Sequence, residues 1–543
     1  MASTNIGDNS RIRTDERVPR SNMKPVRPLR GRFTHARVSE LLTAIHGEEE
    51  YAKMHESGVD KRMMFGTNPH YQALVMGEEL RDIEGNVLVP KMPPSKPIGA
   101  LILPRLEETF SLEGAKDPSN QMNYTPDDNE VYGKLLHKYD EIVLAYASPV
   151  CSAHCRYCYR LDLFNKDTGK MGCKPEELRD YIINYNTKLE ENGGIDPKTG
   201  DRRYPVREVL LSGGDPMVLT NAMIYRFLVA AGEAGVSILR IGSKEWAFRP
   251  ERFDEQFAET LKIVHEKYPH MHINFVSHIS HPDEFLLRDD NGNYIPNDGG
   301  AGYKWMDMSR EAVQRMLRLG FTTIENQTPI ISKVNDDAEA LRILHEEIRR
   351  MGIKPKYLFQ GRDIQGHKAF SVPVEKGWKI HNDAMKGLSD TCRSRFTMST
   401  EWGKMEIMSI IDPIALPADR SALPGRLHHV LDEVLTDGLI VFKAHRSPHE
   451  AESQGDLIIA KRNPEALWIS GYEDRIIYDS RVEKDNKYDG LIEMLLMAMS
   501  SNVFEKFLVG RDGEHIGLGA ANDPKEEKKA PKEKEEAREK ATA

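Results

Sequence analysis

Residues 208–243 read EVLLSGGDPMVLTNAMIYRFLVAAGEAGVSILRIGS. The stretch opens on a short apolar run, 208–212, that ends in Gly213-Gly214-Asp215-Pro216. A segment of helical period follows at 222–235, and a second short run at 238–243 ends in Gly242-Ser243. Strand, crossover helix and strand in this order make a βαβ unit, whose two strands lie parallel. Outward from it the pattern repeats. Further runs fall at 141–148, 272–277, 322–327 and 357–360, with helical segments at 175–192, 254–268, 310–320 and 337–352. Six strands with a helix between each pair predict an α/β fold, a parallel sheet wound by right-handed crossovers into a full or partial barrel. Two polar stretches rich in Gly, Asn and Asp, 192–204 and 288–303, read as surface insertions.

In such a barrel the chemistry gathers where strands run into their following loops. Those ends are polar here: Ser212-Gly213-Gly214-Asp215, Gly242-Ser243-Lys244, Ser277-His278, Asn326-Gln327 and Gln360-Gly361-Arg362. Core strands do not need such ends, whereas a site on one rim does. The first strand runs into Cys151-Ser-Ala-His154-Cys155-Arg-Tyr157-Cys158, three of the five cysteines of the chain. Three thiolates from one loop can hold a [4Fe–4S] cluster with one iron left open, or a structural zinc that finds a fourth ligand elsewhere. His154 is adjacent to Cys155 and poorly placed for that fourth position, while Cys173 and Cys392 are isolated.

The 543 residues are 39% hydrophobic and 29% charged, enough to bury a large core and stay dissolved. A net charge of −10 argues against a nucleic-acid-binding surface. No run approaches the ~18 apolar residues of a membrane span, and residues 1–21 contain no apolar signal core, so a cytoplasmic protein is expected. Five cysteines are too few for a disulfide scaffold. Residues 1–38 form an Arg-rich arm, flexible or draped on a partner, with Phe33 its only aromatic for stacking on a base. Residues 39–136 read as a helical region with Pro-rich joints and 137–416 as the barrel. A small α+β region is expected at 417–518, with strand-rich stretches at 436–445 and 456–478 and an amphipathic helix at 490–507. Residues 519–543 form a charged, disordered tail, and His428-His429 reads as a surface pair.

Cys-x3-Cys-x-aromatic-Cys, with Tyr157 as the aromatic, resembles the signature of radical S-adenosylmethionine (SAM) enzymes. Leu211-Ser-Gly-Gly-Asp-Pro216 resembles their glycine-rich strand end. Within that superfamily the chain is most similar to the lysine 2,3-aminomutase family. The resemblance runs from about residue 137 to at least 404 through His137-Lys-Tyr139, Leu239-Arg-Ile-Gly-Ser243, His278-x2-His281-Pro-Asp-Glu284, Glu325-Asn-Gln327, Val334-Asn-Asp336 and Val374-Glu-Lys-Gly377. It implies a partial (β/α)6 radical SAM barrel in which Cys151, Cys155 and Cys158 bind the cluster. Tyr157, Gly213, Gly214, Asp215, Ser243, His278 and Gln327 would surround SAM, whose amino group meets Asp215 or nearby carbonyls. It also implies pyridoxal 5′-phosphate (PLP), with Lys404 as the lysine that carries it and Lys138 and Tyr139 at its phosphate and ring; the alternative for Lys404 is a solvated surface lysine. The implied reaction moves an amino group from the α- to the β-carbon of an amino acid. A flavodoxin- or ferredoxin-type reductant and a homo-oligomer are implied as well.

Three departures stand out. Of the family's glycine run only Gly403 remains, with Glu401 and Trp402 beside it; the family's second phosphate-contacting arginine falls at Ile142; and its C-terminal zinc-binding cysteines have no counterpart. A PLP-free radical SAM enzyme is therefore the alternative reading, and a zinc-stabilised binding scaffold a second one. Substrate choice also departs. Of the two aspartates that pair a distal ammonium in the lysine enzymes, one falls at Arg362, with Asp363 next to it, and the other near Thr397 or Ser399. An arginine there suits an anionic or polar side chain, glutamate above all. Arg160 matches the arginine of the substrate α-carboxylate, or else makes a structural salt bridge.

Overall fold

The protein is described by a computed structural model covering residues 12–15, 17–21, 28–109, 111, 113–126, 133–160, 172–413, 436–448 and 455–481. The helix expected at 490–507, the tail at 519–543 and His428-His429 lie outside these residues. Among the described residues, no helix is long and apolar enough to cross a membrane.

A large mixed sheet organises the α/β fold. Its strands are β1 (Leu135–Tyr139), β2 (Ile142–Ser148), β3 (Glu208–Gly213), β4 (Ile238–Ser243), β5 (His272–Ser277), β6 (Thr322–Pro329), β7 (Lys354–Phe359), β8 (Arg395–Thr400) and β9 (Gly403–Ile411). From β2 to β8 neighbours in sequence are neighbours in the sheet and run parallel. β1 and β9 add antiparallel edges to β2 and β8. Helices α1 (Pro175–Glu191), α2 (Asn221–Glu233), α3 (Glu255–Lys267), α4 (Asp307–Leu317), α5 (Ala338–Arg350) and α6 (Val374–Met385) make the crossovers. Their starts are written in the sequence. Thr220, Asp254 and Asp337 accept from the backbone N–H three residues on, satisfying one open donor of each helix. Side chains alternate as a strand requires. Val209, Leu211, Leu239, Ile241 and Phe275 are buried on one face, while Leu210, Ser212, Arg240, Gly242 and Val276 line a cavity on the other.

Two stretches differ from expectation. Residues 395–404, where the sequence marks no strand, are a β-hairpin in which Ser399 pairs with Lys404 and Thr400 with Gly403. Phe396, Thr397 and Thr400 suit a strand, and β8 is parallel to β7 through Tyr357–Arg395 and Phe359–Thr397. The N-terminal region is helical at Ala36–His46, Glu48–Ser57, Pro69–Met76 and Lys96–Ile102, but beyond Leu103 it passes through two 3-10 turns, Leu106–Thr109 and Gln121–Tyr124, into β1. That polar stretch has no apolar stripe to bury on a helix. The core of the region, with Phe33, Leu42, Phe65, Tyr71 and Ile98, is continuous with Phe248, Ile331 and Phe370 and reaches Ala153 in the cysteine loop. The described residues 12–21 of the arm touch the helix starts. The Ile12 N–H donates to Glu176 at 3.1 Å, Asn221 donates to the Pro19 carbonyl at 3.3 Å, and the Ser21 hydroxyl donates to Asp254 at 3.0 Å.

By contacts the chain forms two compact units. One holds Met1–Met408, Phe442–Asp456 and Asn463–Asp474; the other holds Ser409–Val441, Leu457–Arg462 and Arg475–Ala543. In the second, Leu457–Lys461 and Ile476–Asp479 pair antiparallel, matching the strand-rich reading of that stretch.

Candidate active site

The C-terminal ends of the parallel strands open into one cavity of about 440 Å³ in the first unit. All fifteen site residues expected from the sequence line it: the three cysteines, Tyr157, Arg160, Gly213, Gly214, Asp215, Ser243, His278, Gln327, Arg362, Lys138, Tyr139 and Lys404. Asp363 does not, and its carbonyl is engaged with Ala115.

The cysteine loop is fixed from two sides. Toward the N-terminal region, the His154 N–H donates to the Gly66 carbonyl (2.8 Å) and the Arg156 N–H to that of Leu101 (2.9 Å). The fully buried Arg156 grips both oxygens of Glu108 at 2.7 and 3.2 Å and donates to the Met63 carbonyl. His154 Nδ1 is bonded to the Met64 carbonyl. Toward β3, the Gly214 N–H reaches the Ser148 carbonyl and the Asp215 N–H that of Val150. A Cβ on Gly214 would stand 2.4 Å from the Val150 oxygen, so the missing side chains of the glycine pair admit the strand that leads into Cys151. Burial raises all three thiols, Cys155 to about 12. Bare, they keep their protons at neutral pH; thiolates form only against a cation that replaces the proton, which is the donor chemistry of a metal cluster.

Beside the loop, Tyr157 Oη and His278 Nε2 share a hydrogen bond of 3.0 Å. Asp215 accepts from the Met217 N–H, the Ser243 hydroxyl (3.1 Å) and the Lys244 N–H (2.7 Å), tying β3 to β4. Burial, with Glu245 nearby, pushes its carboxyl up to about 7. Gln327 Nε2 is buried without a hydrogen-bond partner among the described residues. An amide donor left open on a cavity wall fits a polar ligand such as SAM, because an unpaired buried N–H is costly.

Arg160 Nη1 donates to Ser212 Oγ (2.8 Å) and the Gly213 carbonyl (2.6 Å), while its Nε has no partner among the described residues. Among the described residues it makes no ion pair, and its Nε edge suits a carboxylate. Tyr159 lies under both arginines, 4.7 Å from the Arg160 guanidinium and 4.2 Å from that of Arg362. Lys138 Nζ donates to the Thr400 carbonyl at 2.9 Å, and burial lowers it to about 8. Lys404 Nζ stands 4.7 Å from the centre of the Tyr357 ring. Burial, then the cations Arg240, Arg446 and Lys356, lower it to about 7. A half-buried amine of this kind is a nucleophile at neutral pH, and it fits a carbonyl cofactor.

No protein-family model matches the chain. An Aquifex aeolicus protein provisionally named L-lysine 2,3-aminomutase is 29% identical over 433 residues, which cover 79% of this chain and 92% of that one. The glutamate 2,3-aminomutase of Clostridioides difficile is 25% identical over 345 residues, 63% of this chain and 66% of its own. For the L-lysine 2,3-aminomutase of Clostridium subterminale the figures are 24% over 312 residues, 57% and 63%. Over most of its length the chain is similar to the lysine 2,3-aminomutases, a family of radical SAM enzymes. The sequence assigns no role to three lining residues of this aminomutase-like chain, Lys244, Arg240 and Arg446. Lys244 donates to Glu284 (2.8 Å), Ser280 and the His278 carbonyl, and its place directly after Ser243 was a usable signal. Arg240 pairs with Glu208 at 2.9 Å, and the inward period of β4 was a signal for it. Arg446 lies beyond the segment of resemblance, and nothing local in the sequence marks it.

Proposed function

We propose that this chain is a PLP-dependent 2,3-aminomutase acting on an amino acid with an acidic or polar side chain, glutamate in the first place. The observation that carries the reading is Lys404, an amine lowered to about 7 on the wall of the cavity that also holds the three thiols. When bound, the cluster and SAM supply a hydrogen-abstracting radical, and PLP supplies a carbonyl to hold the migrating amino group. The chain itself does the rest. Cys151, Cys155 and Cys158 hold the cluster; Gln327 and His278 contact SAM; Lys138 and Tyr139 border PLP. Arg160 takes the α-carboxylate on its open edge. Arg362 has no acidic partner among the described residues and lies beside it across Tyr159, so it orients a second carboxylate. Asp363, which would restore a lysine-type pocket, stands off the cavity wall.

The same reading makes the curved sheet a partial (β/α)6 barrel over about 137–416, a cytoplasmic homo-oligomer served by a flavodoxin- or ferredoxin-type reductant. Contacts from β1 to the far end of the sheet, such as Lys138 to Thr400, support the curvature. One observation favours a PLP-free relative instead: at the hairpin turn Glu401 is held by Asn120 (2.6 Å), a carboxylate where the family has glycine. Borohydride reduction of the anaerobically reconstituted protein with PLP, followed by peptide mapping, separates the two. A pyridoxyl adduct confined to Lys404 is expected; no adduct, with iron–sulfur absorbance intact, favours the PLP-free enzyme.

A further inference from the structure

Residues 113–126 form a strap across one end of the cavity, and Ser119, Gln121 and Tyr124 belong to the wall there. The same end is bordered by β1, the β8–β9 hairpin and Arg446, which pairs with Glu141 and lies 4.5 Å from the centre of the Tyr139 ring. The start of the strap is fixed beside Arg362. The Ala115 N–H donates to the Asp363 carbonyl (3.0 Å), and the Gln365 N–H to that of Ala115 (3.1 Å). A Cβ on Gly114 would stand 2.8 Å from the Asp363 oxygen at a φ of +100°, so this crossing requires glycine.

Beyond Ala115 the strap has no apolar anchor. Among residues 113–126 only Ser119 and Thr125 are buried, and Met122 is 45% exposed. Polar contacts hold it instead, and they fall on the tip of the hairpin. Ser119 Oγ donates to the Ser399 carbonyl (3.1 Å) and Tyr124 Oη to that of Glu401 (3.2 Å), on either side of the Thr400 carbonyl that accepts from Lys138. The Asn120 amide donates to the Glu401 carboxylate at 2.6 Å. Asn120 stands in left-handed backbone, with φ +47°, a conformation that asparagine accepts more readily than most residues. A segment held by a few hydrogen bonds and no buried apolar side chain belongs to the low-stability end of a fold, from which lids are drawn. Gln121 follows directly, and its side chain makes no hydrogen bond among the described residues, which leaves its amide to whatever fills the cavity.

We propose that residues 116–125 are a lid on this end of the cavity, latched by Asn120 on Glu401, and that Gln121 is the lid's contact with the bound amino acid. The latch stands on the geometry; the identity of the bound molecule rests on the reading above. Opening admits the amino acid, and closure shuts water out. A glycine at 401 would keep the Tyr124 contact, which uses the backbone, and lose the latch. Glu401 thereby has a use that is independent of PLP.

Hydrogen–deuterium exchange on the full-length, cluster-reconstituted protein with SAM and PLP, with and without L-glutamate, is the test. Without glutamate the lid amides are expected to exchange about 100-fold or more faster than those of β3 and β4, and glutamate should slow them. Asn120→Gly keeps the left-handed backbone, and Glu401→Ala keeps the carbonyl that Tyr124 uses. Each is expected to speed exchange in the lid by roughly 3- to 10-fold, the factor for one hydrogen bond to a partly exposed carboxylate. The double variant should be no faster than Asn120→Gly alone. Gln121→Ala should leave exchange without glutamate unchanged and raise the glutamate concentration needed for protection by about 3- to 10-fold. Lid amides as slow as those of β3 overturn the proposal, and so do additive effects of Asn120→Gly and Glu401→Ala. Protection of Gln121→Ala at the wild-type glutamate concentration overturns the assigned contact. Should glutamate protect no part of the wild-type cavity wall while the latch variants behave as expected, the substrate reading fails and the lid stands.

Discussion

Gly213 lies so close to Ser148 that a Cβ on it would stand 2.2 Å from the Ser148 carbonyl oxygen, at a φ of +120°. The contact seats the chain three residues ahead of Cys151 on the end of β3. Gly213→Ala must displace that chain or distort its own backbone, at a cost of about 1–3 kcal/mol. The variant is expected to melt lower and to retain less iron and acid-labile sulfide per chain after anaerobic reconstitution. Wild-type iron content with an unchanged melting temperature would show that the loop does not depend on this contact.

Lys404 sets a pH dependence. Burial and neighbouring cations depress its amine to about 7, so the reactive neutral form fills in as pH rises through 7 and is nearly complete one unit above. The initial rate of borohydride-trapped adduct formation with PLP should climb about tenfold per pH unit below that point and level off above it. A rate still climbing at pH 9 would indicate a solvated lysine of ordinary basicity.

Arg362 should decide which side chain is accepted. Arg362→Asp puts a carboxylate where an acidic substrate places its own and offers a partner to an ammonium. The ratio of kcat/KM for glutamate to that for lysine is expected to fall by about 100-fold or more, the scale of a buried charge reversal. A ratio that stays put would assign side-chain recognition elsewhere in the cavity.

Much of the cavity lining was legible because the core strands of a sheet need apolar side chains, and polar residues concentrated at their ends have no structural reason to be there. Ser212, Ser243, His278 and Gln327 declared themselves in that way, and the thiols did so by number and spacing. Asp215 or carbonyls near it were read as the contact for an ammonium; its carboxylate also spans to Ser243 and the Lys244 amide, a partnership that only the pairing of β3 with β4 creates. Similarly, β8 was hidden because Arg395–Thr400 is a strand by virtue of what lies on either side of it. Tyr159 holds two arginines drawn from positions far apart in the chain, Arg160 and Arg362, and Arg446 finds Tyr139 across most of its length. Local patterns carry no trace of such long-range pairings.

The Arg446–Glu141 pair joins positions 305 residues apart. At roughly 5–20 residues per second, a ribosome needs about 15–60 s to travel that distance. The thiols at 151, 155 and 158 are made within roughly the first 1–3 s of that interval, long before the arginine that braces the opposite wall. During synthesis the cysteine loop therefore exists for roughly 15–60 s beside a cavity that lacks its last side, an interval in which iron and sulfide can reach the nascent chain before the cavity is complete.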